Sequence, residues 1–148
     1  MLNGKSVLIT GGTGSFGRSL VQQILKQYSP KRLIIFSRDE YKQYRMQQTF
    51  SDAQYQCLRY FIGDVRDKNR VYRALEGVDY VVHAAALKHV PTAEYNPFET
   101  IQTNIIGTQN VIEAAIDRQV KGVVVLSTDK SVNPINLYGA TKLCVEKI

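Results

Sequence analysis

Five short apolar runs, spaced by helical patterns, constrain this chain more than any other feature. They are Ser6–Thr10, Arg32–Phe36, Leu58–Ile62, Tyr80–Ala84 and Gly122–Ser127. Nearly every position in them is apolar, as expected of strands in a parallel sheet covered on both faces. Parallel strands need crossover helices, and the segments between the runs supply them. Ser15–Gln27 carries Leu20, Val21, Ile24 and Leu25 on one face. Ser37 and Glu40 form a capping box for a helix running to about Phe50. Asn96-Pro97-Phe98-Glu99 gives an N-cap, a first-position proline and a capping-box glutamate for a long helix from Pro97 to Arg118. The predicted order, βαβαβαβαβα, is a doubly wound α/β fold.

With 148 residues and 44% hydrophobic content, the chain can bury one core and reads as one domain. No stretch approaches the roughly 18 apolar residues of a membrane span. Met1 to Thr10 holds one lysine and an apolar stretch too short for a signal peptide, which favours the cytoplasm. Cys57 and Cys144 show neither CxxC nor His-paired spacing, so they read as free thiols, with no metal site. The net charge of +6 invites a nucleic-acid reading, but the basic residues are dispersed, with no run of five. The surplus suits a site that holds several phosphates. A last helix starts near Tyr138 and reaches Ile148 without glycine, proline or polar fade. The expectation is one nucleotide-binding domain, residues 1–148, cut inside a helix, with a second lobe absent.

Gly11, Gly14 and Gly17 follow the first strand and open the first helix. Glycines let a backbone approach a pyrophosphate, and the helix start offers unpaired N–H groups. Thr13, Ser15 and Phe16 complete this turn. An NAD site places an acid about 20 residues past the glycines to hold the ribose 2′-hydroxyl. Ser37 falls there, with Arg38 beside it and Lys42 one turn on, a hydroxyl and two cations that suit the 2′-phosphate of NADP. Asp39 reads as a first-turn helix acid, although a small register shift would make it the ribose acid. Asp64, followed by Val65, suits an adenine amine or a plain turn. After the fourth run, Ala84 and Ala85 let the backbone lie against a cofactor, and His83 reads as a satisfied, half-buried histidine.

Tyr138 and Lys142 are four apart at a helix start, so they share a face. A cation beside a phenol lowers its pKa from about 10 and makes the phenolate a usable base. Ser127-Thr128-Asp129-Lys130 comes shortly before, with seven residues between Lys130 and Tyr138. A lysine acts as a base only where a dry, cationic cleft depresses its pKa.

These segments resemble the extended short-chain dehydrogenase/reductases, and more narrowly the inverting UDP-N-acetylglucosamine 4,6-dehydratases. The resemblance rests on Thr10 to Gly17, Phe36 to Glu40, Ile62 to Asp67, His83 to Lys88 with Val90-Pro91, Glu94 to Phe98, and Ser127 to Tyr138. It implies a Rossmann-type sheet, bound NADP, a UDP-N-acetylglucosamine substrate, a homo-oligomer, and a place in bacterial surface or flagellin sugar synthesis of the pseudaminic acid type. It implies that Tyr138 takes the proton of the sugar 4-hydroxyl and that Lys142 holds the nicotinamide ribose. By the same likeness Lys130 abstracts the C5 proton, Asp129 protonates the departing C6 hydroxyl, and Thr128 lies near the 4-oxygen. Lys88 is placed at the substrate–cofactor boundary, and Thr103 and Asn104 on the helix facing the site. His89 stands where many relatives have glutamine. Two other readings stay open: a nucleotide-sugar epimerase or reductase of the same superfamily, and a non-catalytic NADP-binding protein.

Overall fold

The computed structural model describes residues 1–148. Five parallel strands, β1 (Ser6–Thr10), β2 (Arg32–Ser37), β3 (Leu58–Ile62), β4 (Tyr80–His83) and β5 (Gly122–Val125), form one sheet in the order β3-β2-β1-β4-β5. Helices α1 (Ser15–Gln27), α2 (Glu40–Gln47), α3 (Lys68–Ala74), α4 (Val90–Tyr95), α5 (Pro97–Ile101), α6 (Gly107–Asp117) and α7 (Leu137–Val145) complete the chain. Alternate residues of each strand point to opposite faces. Val7, Ile9, Leu33 and Ile35 therefore pack with Val21 and Ile24 of α1, while Leu8, Ile34, Phe36 and Val81 pack with Val71, Val111 and Ala114 of α3 and α6. Burying each of these Val, Leu, Ile and Phe side chains contributes about 1.5–3 kcal/mol. No helix is long and apolar enough to cross a membrane.

The strand order reverses between β1 and β4, and in open α/β sheets ligands bind beyond the carboxyl ends at that point. Here Thr10 aligns with Phe36 on one side and His83 on the other. The turns leaving β1, β2, β3 and β4 consequently open side by side.

Several boundaries differ from expectation for local reasons. β4 stops at His83 because the Ala84 N–H turns toward Thr10, whose Oγ1 is 3.1 Å away. Ser37 does not cap α2. It stays in β2, and Asp39 caps the helix by accepting from the Lys42 N–H at 2.9 Å. Asn96 likewise makes no side-chain cap. Its amide donates to Thr92 O, and Glu99 pairs with Arg66 instead of closing a box. The long helix expected from Pro97 is interrupted by a π-helical stretch, Gln102–Ile106, and a short helix, α4, precedes it. β5 ends at Val125 and α7 at Val145, each short of its predicted limit.

Candidate active site

A cleft of about 420 Å³ lies across the carboxyl ends of the strands. Its floor is the turn after β1. Gly11 has φ +64°, and a Cβ there would sit 2.8 Å from Ala85 N, so only glycine lets β1 and the loop after β4 close on each other. Gly14 precedes α1 and no side chain caps that helix. The first N–H groups of α1, at Ser15, Phe16 and Gly17, have no intrahelical acceptor and border the cleft with Thr13. An uncapped helix start lined by glycine is a place for a phosphate.

The wall beyond β2 and β3 carries two cations, Arg38 and Lys42, beside two acids, Asp39 and Asp64. Ser37 is buried, and its Oγ and carbonyl both accept from Gln43 Nε2 at 3.1 Å, leaving its hydroxyl hydrogen free for a ligand. Arg38 and Lys42 line the cleft with half or more of each side chain exposed. Asp39 belongs to the helix. Chiefly the Lys42 backbone N–H, aided by the Lys42 ammonium, holds its carboxyl below the usual range. Asp64 is also engaged. Burial pushes its pKa up, but the fork of Arg66, 2.7 Å from Oδ2, and the charges of Arg66 and Arg38 together bring it below normal. Val65 is buried beside it, and both line the cleft.

The opposite wall comes from the loop after β4, the π-helical stretch and α7. Ala84, Ala85 and the exposed Lys88 border the cleft. Thr103 lies there too, with Oγ1 fully buried and without a hydrogen-bond partner, an orphan that a bound polar ligand would satisfy. Asn104, expected to face the site, is turned away from the cleft lining. Its side chain accepts from Leu87 N at 2.8 Å and donates to Leu87 O and Thr141 Oγ1, tying the loop to α7. Tyr138 and Lys142 are both buried and both line the cleft. Lys142 Nζ donates to Leu126 O at 2.6 Å, and burial lowers its pKa against the opposing charge of Glu146.

His83 is fully rather than half buried. Thr108 Oγ1 spends its hydrogen on Asn104 O, so it accepts from His83 Nε2, and Nδ1 accepts from Thr10 Oγ1. Burial first, and the Lys142 charge second, push its pKa down to about 4. The ring is neutral at pH 7 and both its nitrogens are occupied, as expected of a structural histidine.

Thr128, Asp129 and Lys130 stand beside the cleft and do not line it. Thr128 caps a 3-10 turn, Asp129–Ser131, by accepting from Lys130 N. The Asp129 side chain is 92% exposed and that of Lys130 51%, with 3.9 Å between them. Lys130 thus sits in water rather than in the dry, Lys142-lined cleft expected of it. The Thr128 hydroxyl, then the Lys130 charge, lowers the Asp129 pKa. The backbone of this turn is nevertheless close to Tyr138, since a Cβ on Gly139 would meet Lys130 O at 2.1 Å. Sequence reading passed over Gln43, Glu146 and the Leu126 carbonyl. A buried glutamine on a polar helix and a backbone acceptor leave no pattern in sequence. Glu146 carries one signal, its place one turn after Lys142.

A family model described as polysaccharide biosynthesis protein matches residues 7–148. The chain is 57% identical to a UDP-N-acetylglucosamine 4,6-dehydratase (inverting) of Campylobacter jejuni subsp. jejuni strain 81-176, over 100% of this chain and 43% of that protein. It is 49% identical to a UDP-glucose 4-epimerase of Rickettsia massiliae, over 97% of this chain and 42% of that one. Among solved structures it is similar to DesIV, a dTDP-glucose 4,6-dehydratase from Streptomyces venezuelae with NAD and TYD bound. There the TM-score is 0.87 and identity 30%, covering 96% of this chain and 49% of that chain. The chain therefore spans less than half the length of the relatives it matches.

Proposed function

This chain belongs to the family of polysaccharide biosynthesis proteins, and from that premise we propose that it carries the nicotinamide-nucleotide half of a UDP-N-acetylglucosamine 4,6-dehydratase that inverts C5. Its product is a UDP-4-keto-6-deoxy-hexosamine for bacterial surface or flagellin sugars, on the route to pseudaminic acid. One juxtaposition carries the reading. Tyr138 and Lys142 are buried against the cleft, and the turn bearing Asp129 and Lys130 abuts them through Gly139. The 57% identity to the Campylobacter enzyme supports the same choice.

The cleft suits a dinucleotide, because the glycine turn, the uncapped α1 and the orphaned Thr103 hydroxyl each lack a partner that such a ligand offers. Gly11 to Gly17, Ser37, Arg38, Lys42, Asp64, Val65, Ala84 and Ala85 would hold NADP, with Arg38 and Lys42 on the 2′-phosphate. Lys88 and Thr103 would meet the boundary between cofactor and sugar. When bound, the nicotinamide supplies a hydride acceptor that later gives the hydride back, so the sugar leaves with no net redox change.

Tyr138 takes the proton of the sugar 4-hydroxyl, with Lys142 on the same helix face beside it. Thr128 offers its hydroxyl near the 4-oxygen. The 4-keto group acidifies C5, Lys130 takes that proton, and a solvent-derived proton later returns to the opposite face of C5, which inverts it. Asp129 is ionised in the present arrangement, so it can protonate the departing C6 hydroxyl only after receiving a proton. Lys130, 3.9 Å away, is the group placed to hand it over. Both side chains are exposed here, so the sugar must reach them from the edge of the cleft, with water excluded by the remainder of the full-length protein. We place uridine recognition in that remainder, and the whole enzyme in the cytoplasm as a homo-oligomer.

The test is the product formed by the full-length protein from UDP-N-acetylglucosamine in D2O, read by NMR. A 4-keto-6-deoxy sugar with deuterium at an inverted C5 is expected. Retention at C5, or a 4-epimer alone, would overturn the reading.

A further inference from the structure

Glu146 follows the last turn of α7, outside the cleft, and neither the sequence motifs nor the chemistry above gives it a task. Its Oε1 accepts from two hydroxyls, Ser127 Oγ and Ser131 Oγ, the latter at 2.7 Å. Ser127 immediately precedes the segment Thr128–Lys130 and Ser131 immediately follows it. One carboxylate oxygen thus clasps both ends of the turn that bears Asp129 and Lys130. Hydroxyl donation to a carboxylate is charge-assisted, roughly twice the strength of a neutral hydrogen bond. Ser131 is 3% exposed, so the donor end of its bond is buried, while the Glu146 carboxylate stays open to water. Its hydroxyl also lies 2.7 Å from Thr128 O, which gives the single hydrogen a second acceptor within the same turn.

The clasp belongs to a larger arrangement. One turn earlier on α7, Lys142 Nζ grips Leu126 O, the residue before Ser127. One turn earlier again, Gly139 lies against Lys130 O. Helix α7 therefore touches the exit of β5 and the following turn at three levels, and the Tyr138 phenol rises from the same helix. Gly139 and Lys142 locate the turn from one side. Without Glu146, no side chain from α7 holds its two ends together, and its own 3-10 hydrogen bonds are 3.1–3.2 Å long.

We propose that Glu146 is a positioning residue, whose carboxylate binds Ser127 and Ser131 and so sets Lys130 and Asp129 relative to Tyr138 and the sugar. This rests on the dehydratase reading for its kinetic consequence, and on geometry alone for the clasp itself. Glu146 does not itself line the cleft and meets it only through Ser127, which does. Its loss should separate the two halves of the reaction, leaving the Tyr138-dependent oxidation and slowing the C5 step assigned to Lys130.

The experiment uses the full-length protein and the variants Glu146→Ala and Glu146→Gln. In Glu146→Ala, incorporation of solvent deuterium at C5 should slow by about a hundredfold, the scale of a misplacement near 1 Å. Nicotinamide reduction in the first turnover, read at its absorbance band, should change by less than about threefold. Glu146→Gln keeps an oxygen that accepts from both serines and should restore most of the C5 rate. Hydrogen exchange of the Lys130, Ser131 and Val132 amides should quicken by about tenfold in Glu146→Ala, with strand amides unchanged. Equal loss of both half-reactions, no loss in either, or unaltered exchange in the turn would overturn the proposal. A wild-type protein that makes no 4-keto sugar would overturn the functional reading instead, while the exchange data still judge the clasp.

Discussion

His83 shows how much one buried polar side chain can impose on this fold. It ends β4, takes a hydrogen bond from Thr10 on β1 and gives one to Thr108 on α6, so it joins the sheet to the helix across the switch point. Its pKa lies near 4 when folded against an ordinary 6.5. The unfolded chain therefore takes up a proton between those values and the folded chain does not. The stability due to neutral His83 is complete above about pH 6.5, falls as pH drops toward 4, and changes no further below that. The span is on the order of 3 kcal/mol. Urea titrations at pH 7, 5.5 and 4 should show this decline, and His83→Gln should flatten it. A slope that survives the substitution would assign the effect to other groups. Arg38 carries a different expectation. Its guanidinium borders the cleft with Asp64 3.7 Å away, and a 2′-phosphate is a stronger partner than that loose contact. Arg38→Ala should raise the Kd for NADP by about tenfold or more, the worth of a charged hydrogen bond, and leave NAD binding nearly unchanged. Equal losses by calorimetry would make Arg38 a mere surface charge.

Among elements, the π-helical stretch decides most about the site. By fitting one more residue into each turn, Gln102–Ile106 presents Thr103 to the cleft and Asn104 to the loop after β4. Asn104→Ala would strand the Leu87 N–H and C=O in a part-buried setting, and each orphan costs about 1–3 kcal/mol. A loss of about 3 kcal/mol in urea denaturation is expected, together with weaker cofactor binding, because Ala85 to Lys88 lose their tether. Unchanged stability would show that water replaces the amide. This stretch was not legible in the sequence. Its apolar positions keep a helical rhythm, and a shift in hydrogen bonding alters no residue type. The rest of the framework was legible where pattern and chemistry coincide. β1, β3 and α1 fall at their predicted limits, since apolar runs and an amphipathic stripe define them. The glycine turn, Tyr138 and Lys142 converge on one cleft as expected. The cap of α2 was misread because Ser37 and Asp39 are two competent caps, and only the buried Gln43, which holds Ser37 in the strand, decides between them. Exposure of Lys130 was equally hidden, since it depends on what covers the turn rather than on the turn itself.

At the scale of the whole molecule, the excess of positive charge acquires a place. The net +6 is spread over the sequence, yet the fold gathers Arg38, Lys42, Lys88 and Lys142 around one cleft. The acids nearby are largely compensated: Asp39 faces Lys42, and Asp64 lies in the fork of Arg66. A cleft with a surplus of positive charge, walled by low-dielectric protein, focuses its field outward and draws anions in. Two pyrophosphate charges are common to both nicotinamide dinucleotides, and a 2′-phosphate adds roughly two more. Arg38 and Lys42 are solvent-exposed, so their attraction is open to screening, with a Debye length of about 10 Å at 0.1 M salt and about 3 Å at 1 M. Lys142, which is buried, is screened less. Salt should therefore discriminate between the cofactors. Raising sodium chloride from about 0.05 to 0.5 M should increase the Kd for NADP by about tenfold and that for NAD by only two- to threefold. Fluorescence or calorimetric titration at four salt concentrations would give both slopes. Parallel slopes would mean that the 2′-phosphate does not rest on these cations, and the preference for NADP would fall with them.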